Sequence, residues 1–109
     1  MKSITWLGDS RKAVRRFSDA ARYQTGKELF RLQIGENALD AKPMRPVGPG
    51  VSEIRIHAET EYRVLYVAKF AEAIYVLHAF TKKTPATSLT DVRVGKHRYS
   101  EMMELRKAK

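Results

Sequence analysis

The sequence predicts an α+β domain: two N-terminal helices pack on one face of a small, mostly antiparallel β-sheet, and a C-terminal helix lies at the sheet's edge. Apolar residues recur at helical spacing in the first third of the chain. Beyond residue 50, three segments alternate like strands, and the short turns between them make consecutive strands antiparallel neighbours. Because 109 residues suffice for one core, we expect a single domain over residues 1–109.

The first elements are a short strand and two helices. Residues Ser3–Leu7 are apolar enough for a strand, and Asp9 is expected to cap the helix that follows it, over about Ser10–Tyr23. The segment Thr25–Glu28 has the pattern of a capping box. A second helix is therefore expected to begin there and to end near Gly35.

The second half of the chain is expected to form the sheet. Residues Lys42–Gly50 contain three prolines and two glycines, which predicts a loop. Three strands follow, at Val51–Ala58, Glu61–Lys69 and Ile74–Thr81. Residues Ser88–Lys107 are expected to be helical despite Gly95. With the first two helices on one face of the sheet, its other face is expected to be polar.

The composition limits the chemistry. The chain has no cysteine, which excludes disulfides, thiolate metal ligands and a cysteine nucleophile. No stretch is long and apolar enough for a signal peptide or a membrane span, so we expect a soluble cytoplasmic protein with no membrane partner. Lysine and arginine number 21 against 12 acidic residues, a formal net charge of +9. This excess favours a polyanionic partner, either nucleic acid or an acidic protein.

Two arginines interrupt otherwise apolar strands. Arg55 lies between Ile54 and Ile56, and Arg63 follows Tyr62. A cation in such a strand must be solvated, paired or in use. Strand parity lets both arginines share the open face of the sheet if the register between their strands permits it, and the sequence does not determine that register.

Two lysines, Lys82 and Lys83, close the last strand. If the strand continues they point to opposite sides, so one of them can join the arginines in a basic groove across the sheet. Alternatively, the lysines protect a strand edge and the arginines form surface ion pairs. The pairs considered are Arg55 with Glu53 or Glu61, and Arg63 with Glu61 or Glu72.

Several segments closely resemble the phage-derived HigB-like toxins of the RelE/ParE superfamily. They are Leu29–Gly35, Gly48–Gly50, Val51–Arg55, Tyr62–Tyr66 and Leu77–Pro85. The resemblance implies the RelE-like fold and a type II toxin that cleaves mRNA without a metal or other cofactor, usually on the ribosome. The RNA 2′-hydroxyl would attack the phosphorus and leave a cyclic phosphate. The resemblance also implies silencing by a HigA-like helix-turn-helix antitoxin.

The resemblance also suggests which residues act. Arg63 ranks first as the cation on the scissile phosphate, because the arginine fork suits a phosphate, and Arg55, Lys82 and Lys83 are further catalytic and RNA-binding cations. The candidates for proton transfer are His78, His57 and Tyr99, and Arg98 is a further RNA-binding cation. His78 follows strand periodicity and is expected to be a hydrogen-bonded core residue.

Two other functions remain open. A ParE-type inhibitor of DNA gyrase would share the fold but bind a protein, and a phage module could bind nucleic acid without cleaving it. The strand cations favour the nuclease, because an inhibitor that acts by binding has no need for Arg63 and the lysines to converge on a phosphate.

Overall fold

Across residues 1–108, the computed structural model shows five strands and three helices. In chain order they are β1 (Ser3–Trp6), α1 (Ser10–Arg15), α2 (Asp19–Gln33), β2 (Ala41–Pro43), β3 (Val51–His57), β4 (Glu61–Val67), β5 (Ala73–Lys82) and α3 (Leu89–Lys107). The strands form one sheet in the order β1-β5-β4-β3-β2, in which β1 runs parallel to β5 and the other pairs are antiparallel. The α+β class and the mostly antiparallel sheet are thus confirmed.

The N-terminal helices begin at other residues than expected. A single helix over Ser10–Tyr23 is wrong, because the hydroxyl of Ser18 accepts a hydrogen bond from the backbone N–H of Ala21 at 3.2 Å and caps α2 there. The capping box at Thr25–Glu28 is also wrong, since the Thr25 hydroxyl donates to the carbonyl of Ala21 at 2.8 Å from inside α2. Starting α2 after Ser18 keeps both Ala21 and Thr25 on its buried side.

Two other signals at the helix ends have different outcomes. Asp9 occupies the N-cap position of α1, but its side chain makes no capping hydrogen bond. Its carboxylate accepts a hydrogen bond from Nη2 of Arg98 at 3.1 Å instead. Gly35 follows the end of α2 and has a φ of 87°, a conformation that favours glycine. The predicted end of the second helix near Gly35 is therefore confirmed.

Helices α1 and α2 cover one face of the sheet, as expected. Their buried side chains pack against inward-facing residues of β3, β4 and β5. This layer includes Val14, Phe17, Ala21, Leu29, Leu32, Ile54, Ile56, Tyr62, Val64, Tyr66, Ile74, Val76 and Ala79.

The second face of the sheet is covered by α3, so the expectations of a polar face and of a helix at the sheet's edge are wrong. Leu65 and Leu77 are fully buried on this face, and Met102 of α3 packs in the same cluster. Helix α3 comes so close that a Cβ on Gly95 would lie 2.9 Å from Leu65 Cδ1 and 3.0 Å from Val47 Cγ1. The glycine that reads as a helix breaker is thus the residue that permits the approach.

The proline-rich segment is not wholly a loop. Ala41–Pro43 form the edge strand β2, which pairs with β3, and Pro43 fits there because an edge strand leaves some N–H groups unused. The three predicted later strands are confirmed with small changes at their ends. No helix in the described part of the chain combines the length and the apolar character needed to cross a membrane.

Candidate functional site

The register of β3, β4 and β5 brings the strand cations together where these strands start or end. Arg55 lies directly opposite Arg63. In the next row, His57 lies opposite Glu61, which in turn lies opposite Lys82. All five side chains share the face that α3 covers further along the sheet. We call these residues, Arg55, His57, Glu61, Arg63 and Lys82, the strand-end cluster.

Carboxylates connect most of the cluster in an alternating chain. Arg55 Nε lies 2.9 Å from Oδ1 of Asp40, whose Oδ2 lies 2.6 Å from Nε2 of His57. The other ring nitrogen of His57 lies 2.8 Å from Oε2 of Glu61, and Oε1 of Glu61 accepts from Nη1 of Arg63 at 2.9 Å. Like charges directly opposite each other destabilise a sheet. Asp40 and Glu61 offset this repulsion between the two arginines.

The hydrogen bonds and ion pairs of this network shift the pKa values of His57, Asp40 and Glu61. The pKa of His57 is raised, first by its hydrogen bond to Asp40 and then by the one to Glu61. The pKa values of both carboxyl groups are lowered, chiefly by the hydrogen bond to His57 and secondarily by the neighbouring arginine. His57 therefore holds its proton to a higher pH than an isolated histidine would, while more than half of its side chain stays exposed.

Arg63 lies beneath the surface of the cluster. Its side chain is 6% exposed, and its Nε is 3.6 Å from Oε1 of Glu53, which is fully buried. The second oxygen of Glu53 accepts a hydrogen bond from the Thr87 hydroxyl at 2.9 Å, so the β5–α3 connection closes over this pair. From the sequence, Glu53 was a possible partner of Arg55. In the structure, Glu53 lies beside Arg63 instead.

The other strand cations are more accessible. About a third of the Arg55 side chain is exposed, and Lys82 is partly exposed on the same face. Lys83 follows the end of β5 and is exposed. Of the two lysines, Lys82 is the one that joins the arginines. Neither lysine makes an ion pair with any residue that the structure describes.

Arg98 and Tyr99 lie on α3, outside the strand-end cluster. Arg98 donates from Nη1 to the carbonyls of Leu7 and Leu77 at 3.2 and 3.3 Å. The hydroxyl of Tyr99 donates to the carbonyl of Pro49 at 3.2 Å. These contacts anchor α3 to the sheet and to the proline-rich segment, and they do not bring either side chain into the strand-end cluster.

His78 has the surroundings expected of a core histidine. Its side chain is 12% exposed, and Nε2 lies 2.8 Å from Oδ1 of Asp91 at the start of α3. The ring stacks on Phe80 with 5.0 Å between centroids. His78 therefore helps to hold α3 on the sheet.

Sequence reasoning missed Asp40, the carboxylate that joins Arg55 to His57. Of the ion pairs considered, Arg63 with Glu61 is confirmed, while Glu72 instead binds Arg106 at 2.7 Å. The backbone carbonyl of Asp40 accepts from the N–H of Arg55 at 2.8 Å. The position of Asp40 beside Arg55 depends on the pairing of the short strand β2 with β3. A sequence pattern would reveal it only if β2 were predicted within the proline-rich segment.

The described residues contain no cluster of three or more histidine, aspartate or glutamate side chains arranged to hold a metal ion. A comparison with curated proteins found no match to the chain. A family model described as "Phage derived protein Gp49-like" matches residues 12–100, which is most of the chain. The protein therefore belongs to the Gp49-like family of phage-derived proteins.

Proposed function

We propose that this protein is a type II toxin of the HigB kind within the RelE/ParE superfamily, and that it cleaves mRNA on the ribosome at the strand-end cluster. The observation that carries the proposal is the register that sets Arg55 opposite Arg63 and places His57 and Lys82 in the adjoining row. Family membership supports it, because Gp49-like proteins are associated with RelE- and HigB-like toxins.

The exposed cations contact the RNA in this proposal. Cleavage begins when the 2′-hydroxyl attacks the adjacent phosphorus, and negative charge builds on the phosphoryl oxygens in the transition state. Arg55 and Lys82 are the arginine and the lysine of the cluster that solvent can reach. Arg55 lies directly opposite Arg63, and Lys82 lies in the adjoining row, opposite Glu61. We assign these two side chains to the scissile phosphate.

His57 supplies the proton for the leaving 5′-oxygen. Asp40 and Glu61 raise its pKa and so keep it protonated further into the neutral range. Its exposed ring can also approach a bound phosphodiester. The proton of the attacking hydroxyl passes to water. Arg63 holds Glu61 in place and adds positive charge beneath the phosphate, which makes it a positioning residue in this arrangement.

The burial of Arg63 favours a second candidate, a protein that shares the fold but acts by binding, such as a ParE-type gyrase inhibitor or a non-catalytic nucleic-acid module. A guanidinium between two carboxylates is already paired, so it has less capacity to bind a phosphate. A binding protein would leave growth arrest independent of Arg55 and Lys82 and would produce no new transcript ends.

The test is induced expression of the wild type and of Arg55→Ala, Lys82→Ala and Lys96→Ala, with mapping of mRNA 5′ ends. Lys96→Ala is the matched control, because it removes an exposed cation of α3 outside the cluster. We expect new 5′ ends and growth arrest with the wild type and the control. Both should be lost or strongly reduced with the other two variants.

Arg63→Ala alone is a weaker test, since it leaves Glu53 buried without its partner and can act by unfolding the protein. If the wild type arrests growth without new 5′ ends, or if neither Arg55→Ala nor Lys82→Ala reduces them in folded protein, catalysis does not occur at this cluster.

A further inference from the structure

Strand β1 forms an edge of the sheet with backbone groups free to pair. It binds β5 on one side, and alternation along the strand turns the N–H and C=O groups of Ile4 and Trp6 outward. The outward groups of Lys2 are already used, because its N–H donates to the carbonyl of Gln33 at 3.0 Å and its carbonyl accepts from the Gln33 side chain at 2.8 Å. The open edge is therefore confined to the Ile4–Trp6 stretch.

A groove runs beside this edge, between β1 and helices α1 and α2. It has a volume of about 250 Å³ and an apolar floor that includes Ile4, Trp6, Val14 and Leu29. Its rim carries three arginines, Arg11, Arg15 and Arg22. An apolar floor with a polar, charged rim is the usual composition of a surface that binds another protein.

The charge at this rim is not neutralised locally. Arg11 and Arg15 are exposed and make no ion pair within residues 1–108, and α1 contains no acidic residue. Arg22 is paired with Asp19 at 2.7 Å. The rim thus presents two unpaired guanidinium groups one helical turn apart, which suits carboxylates spaced along an extended chain.

We propose that this groove binds an extended acidic segment of a partner protein, which adds a strand to β1. Its backbone pairs with Ile4 and Trp6, its alternate apolar side chains fill the groove, and its carboxylates bind Arg11 and Arg15. The groove lies on the α1–α2 face and the strand-end cluster on the α3 face. The inference therefore does not depend on the proposed nuclease.

A second copy of the chain fits the groove less well. Two β1 strands paired antiparallel about a two-fold axis perpendicular to the sheet would keep their α1–α2 layers on the same side. The arginine rims of the two copies would then meet and repel each other. A nucleic acid would satisfy the arginines but leave the apolar floor without a partner.

The test uses Trp6, the only tryptophan of the chain, as a fluorescent probe inside the groove. The ligand is a short blocked peptide in which glutamate alternates with valine, and its control alternates glutamate with serine. We expect saturable quenching or a spectral shift of Trp6 with the first peptide and at least about tenfold weaker binding with the second, because the second lacks the apolar side chains that fill the groove.

Two double charge reversals, one on α1 and one on α1 and its C-cap residue Arg16, test the arginine rim. Arg11→Glu with Arg15→Glu removes the two rim cations, whereas Lys12→Glu with Arg16→Glu makes the same charge change outside the groove lining. The rim double variant should bind the valine peptide about tenfold more weakly, and the control less than about threefold, because contact pairs depend on position and long-range charge is screened by salt. Equal losses in both variants would overturn the site.

Amide hydrogen exchange tests whether the peptide adds a strand to β1, and sedimentation tests whether a second copy of the chain binds there instead. Binding should slow exchange of the Ile4 and Trp6 amide hydrogens, and unchanged rates would overturn strand addition. Self-association at rising protein concentration, detected by sedimentation and accompanied by slower exchange of the Ile4 and Trp6 amide hydrogens in the absence of peptide, would replace the acidic partner with a second copy. Binding of a single-stranded RNA oligomer that shifts Trp6 as strongly as the valine peptide would also overturn the proposal.

Discussion

The α1–α2 layer and the α3 layer cover opposite faces of one sheet, and the arginines of α1 differ sharply from the central arginine on the α3 face. On α1, Arg11 and Arg15 are exposed and make no ion pair within the described chain. On the other face, Arg63 is buried between Glu53 and Glu61. Arg11 and Arg15 are therefore free surface charges, whereas Arg63 is part of the packed interior.

This difference shows that net charge does not locate a site. The formal charge of +9 is compatible with binding on either face. A free guanidinium attracts an anionic partner at the surface, whereas a guanidinium held by carboxylates is preorganised but must give up or share those contacts to bind a phosphate.

The largest effect is expected for the buried pair. Arg63→Met leaves the carboxylate of Glu53 uncompensated in the interior and should lower the free energy of unfolding by about 3–5 kcal/mol. Glu53→Leu leaves Arg63 its second partner, Glu61, and should cost less. Urea unfolding of each purified variant measures this loss.

The double variant that combines Arg63→Met with Glu53→Leu is the control. It should recover most of the stability, because replacing both charges by apolar side chains removes the unpaired charge. Single variants as stable as the wild type would show that the pair is solvated and that the two layers do not differ in this way.

The next effect compares a glycine from each layer. Gly95→Ala should destabilise the protein by about 1 kcal/mol, because overpacking against Leu65 and Val47 outweighs the better helix propensity of alanine. Gly26→Ala in α2 meets no atom within 4 Å, so it should stabilise the protein by about 0.5–1 kcal/mol. Thermal and urea unfolding measure both, and a stabilising Gly95→Ala would mean that α3 is packed more loosely than the structure shows.

The strand-end cluster should give stability a pH dependence. His57 has a raised pKa in the folded protein, so its contribution is fully present below its usual value of 6.5 and is lost as the pH rises through the folded value. Asp40 and Glu61 have lowered values, so their contributions are present above the ordinary carboxyl range and are lost as the pH falls.

The variant His57→Gln should remove the decline above neutrality, as urea unfolding across a pH series would show. A wild-type decline that persists unchanged in His57→Gln would assign it to other groups.

The smallest effect on stability is expected on α1. The double variant Arg11→Glu with Arg15→Glu should change the free energy of unfolding by no more than about 0.5 kcal/mol, because exposed unpaired charges contribute little. A chemical denaturation curve compared with the wild type is sufficient. A large loss would mean that these arginines support the fold and are not free for a partner.

Local patterns in the sequence predicted much of the fold. Alternation and turn residues located β3, β4 and β5 to within a few residues. Strand parity allowed Arg55 and Arg63 to share a face but could not decide it, and the register of β3 and β4 shows that they do. The helix start at Ser18 was not predicted, because both Ser18 and Thr25 are residues that can cap a helix, and tertiary packing decides which of them does.

The position of α3 could not be read from its own residues. Its apolar residues form no clean stripe, and Gly95 lowers the expected helix propensity. A signal was nonetheless available in β5, where Ala73–Leu77 is apolar on both sides of the strand and therefore requires a cover on both faces. The partner carboxylate Asp40 depends on a long-range strand pairing, which no local pattern specifies.

The most direct test of the proposed nuclease is the chemistry of the RNA ends. Purified protein is incubated with ribosomes programmed with a defined mRNA, and the 5′ fragment is examined for a 2′,3′-cyclic phosphate. We predict that the wild type and Lys96→Ala produce this end and that the folded Arg55→Ala and Lys82→Ala variants produce it about a hundredfold more slowly, because each loses a cation that stabilises the transition state. The absence of cleavage by the wild type, or cleavage at an unchanged rate in both cluster variants, would contradict the proposed site.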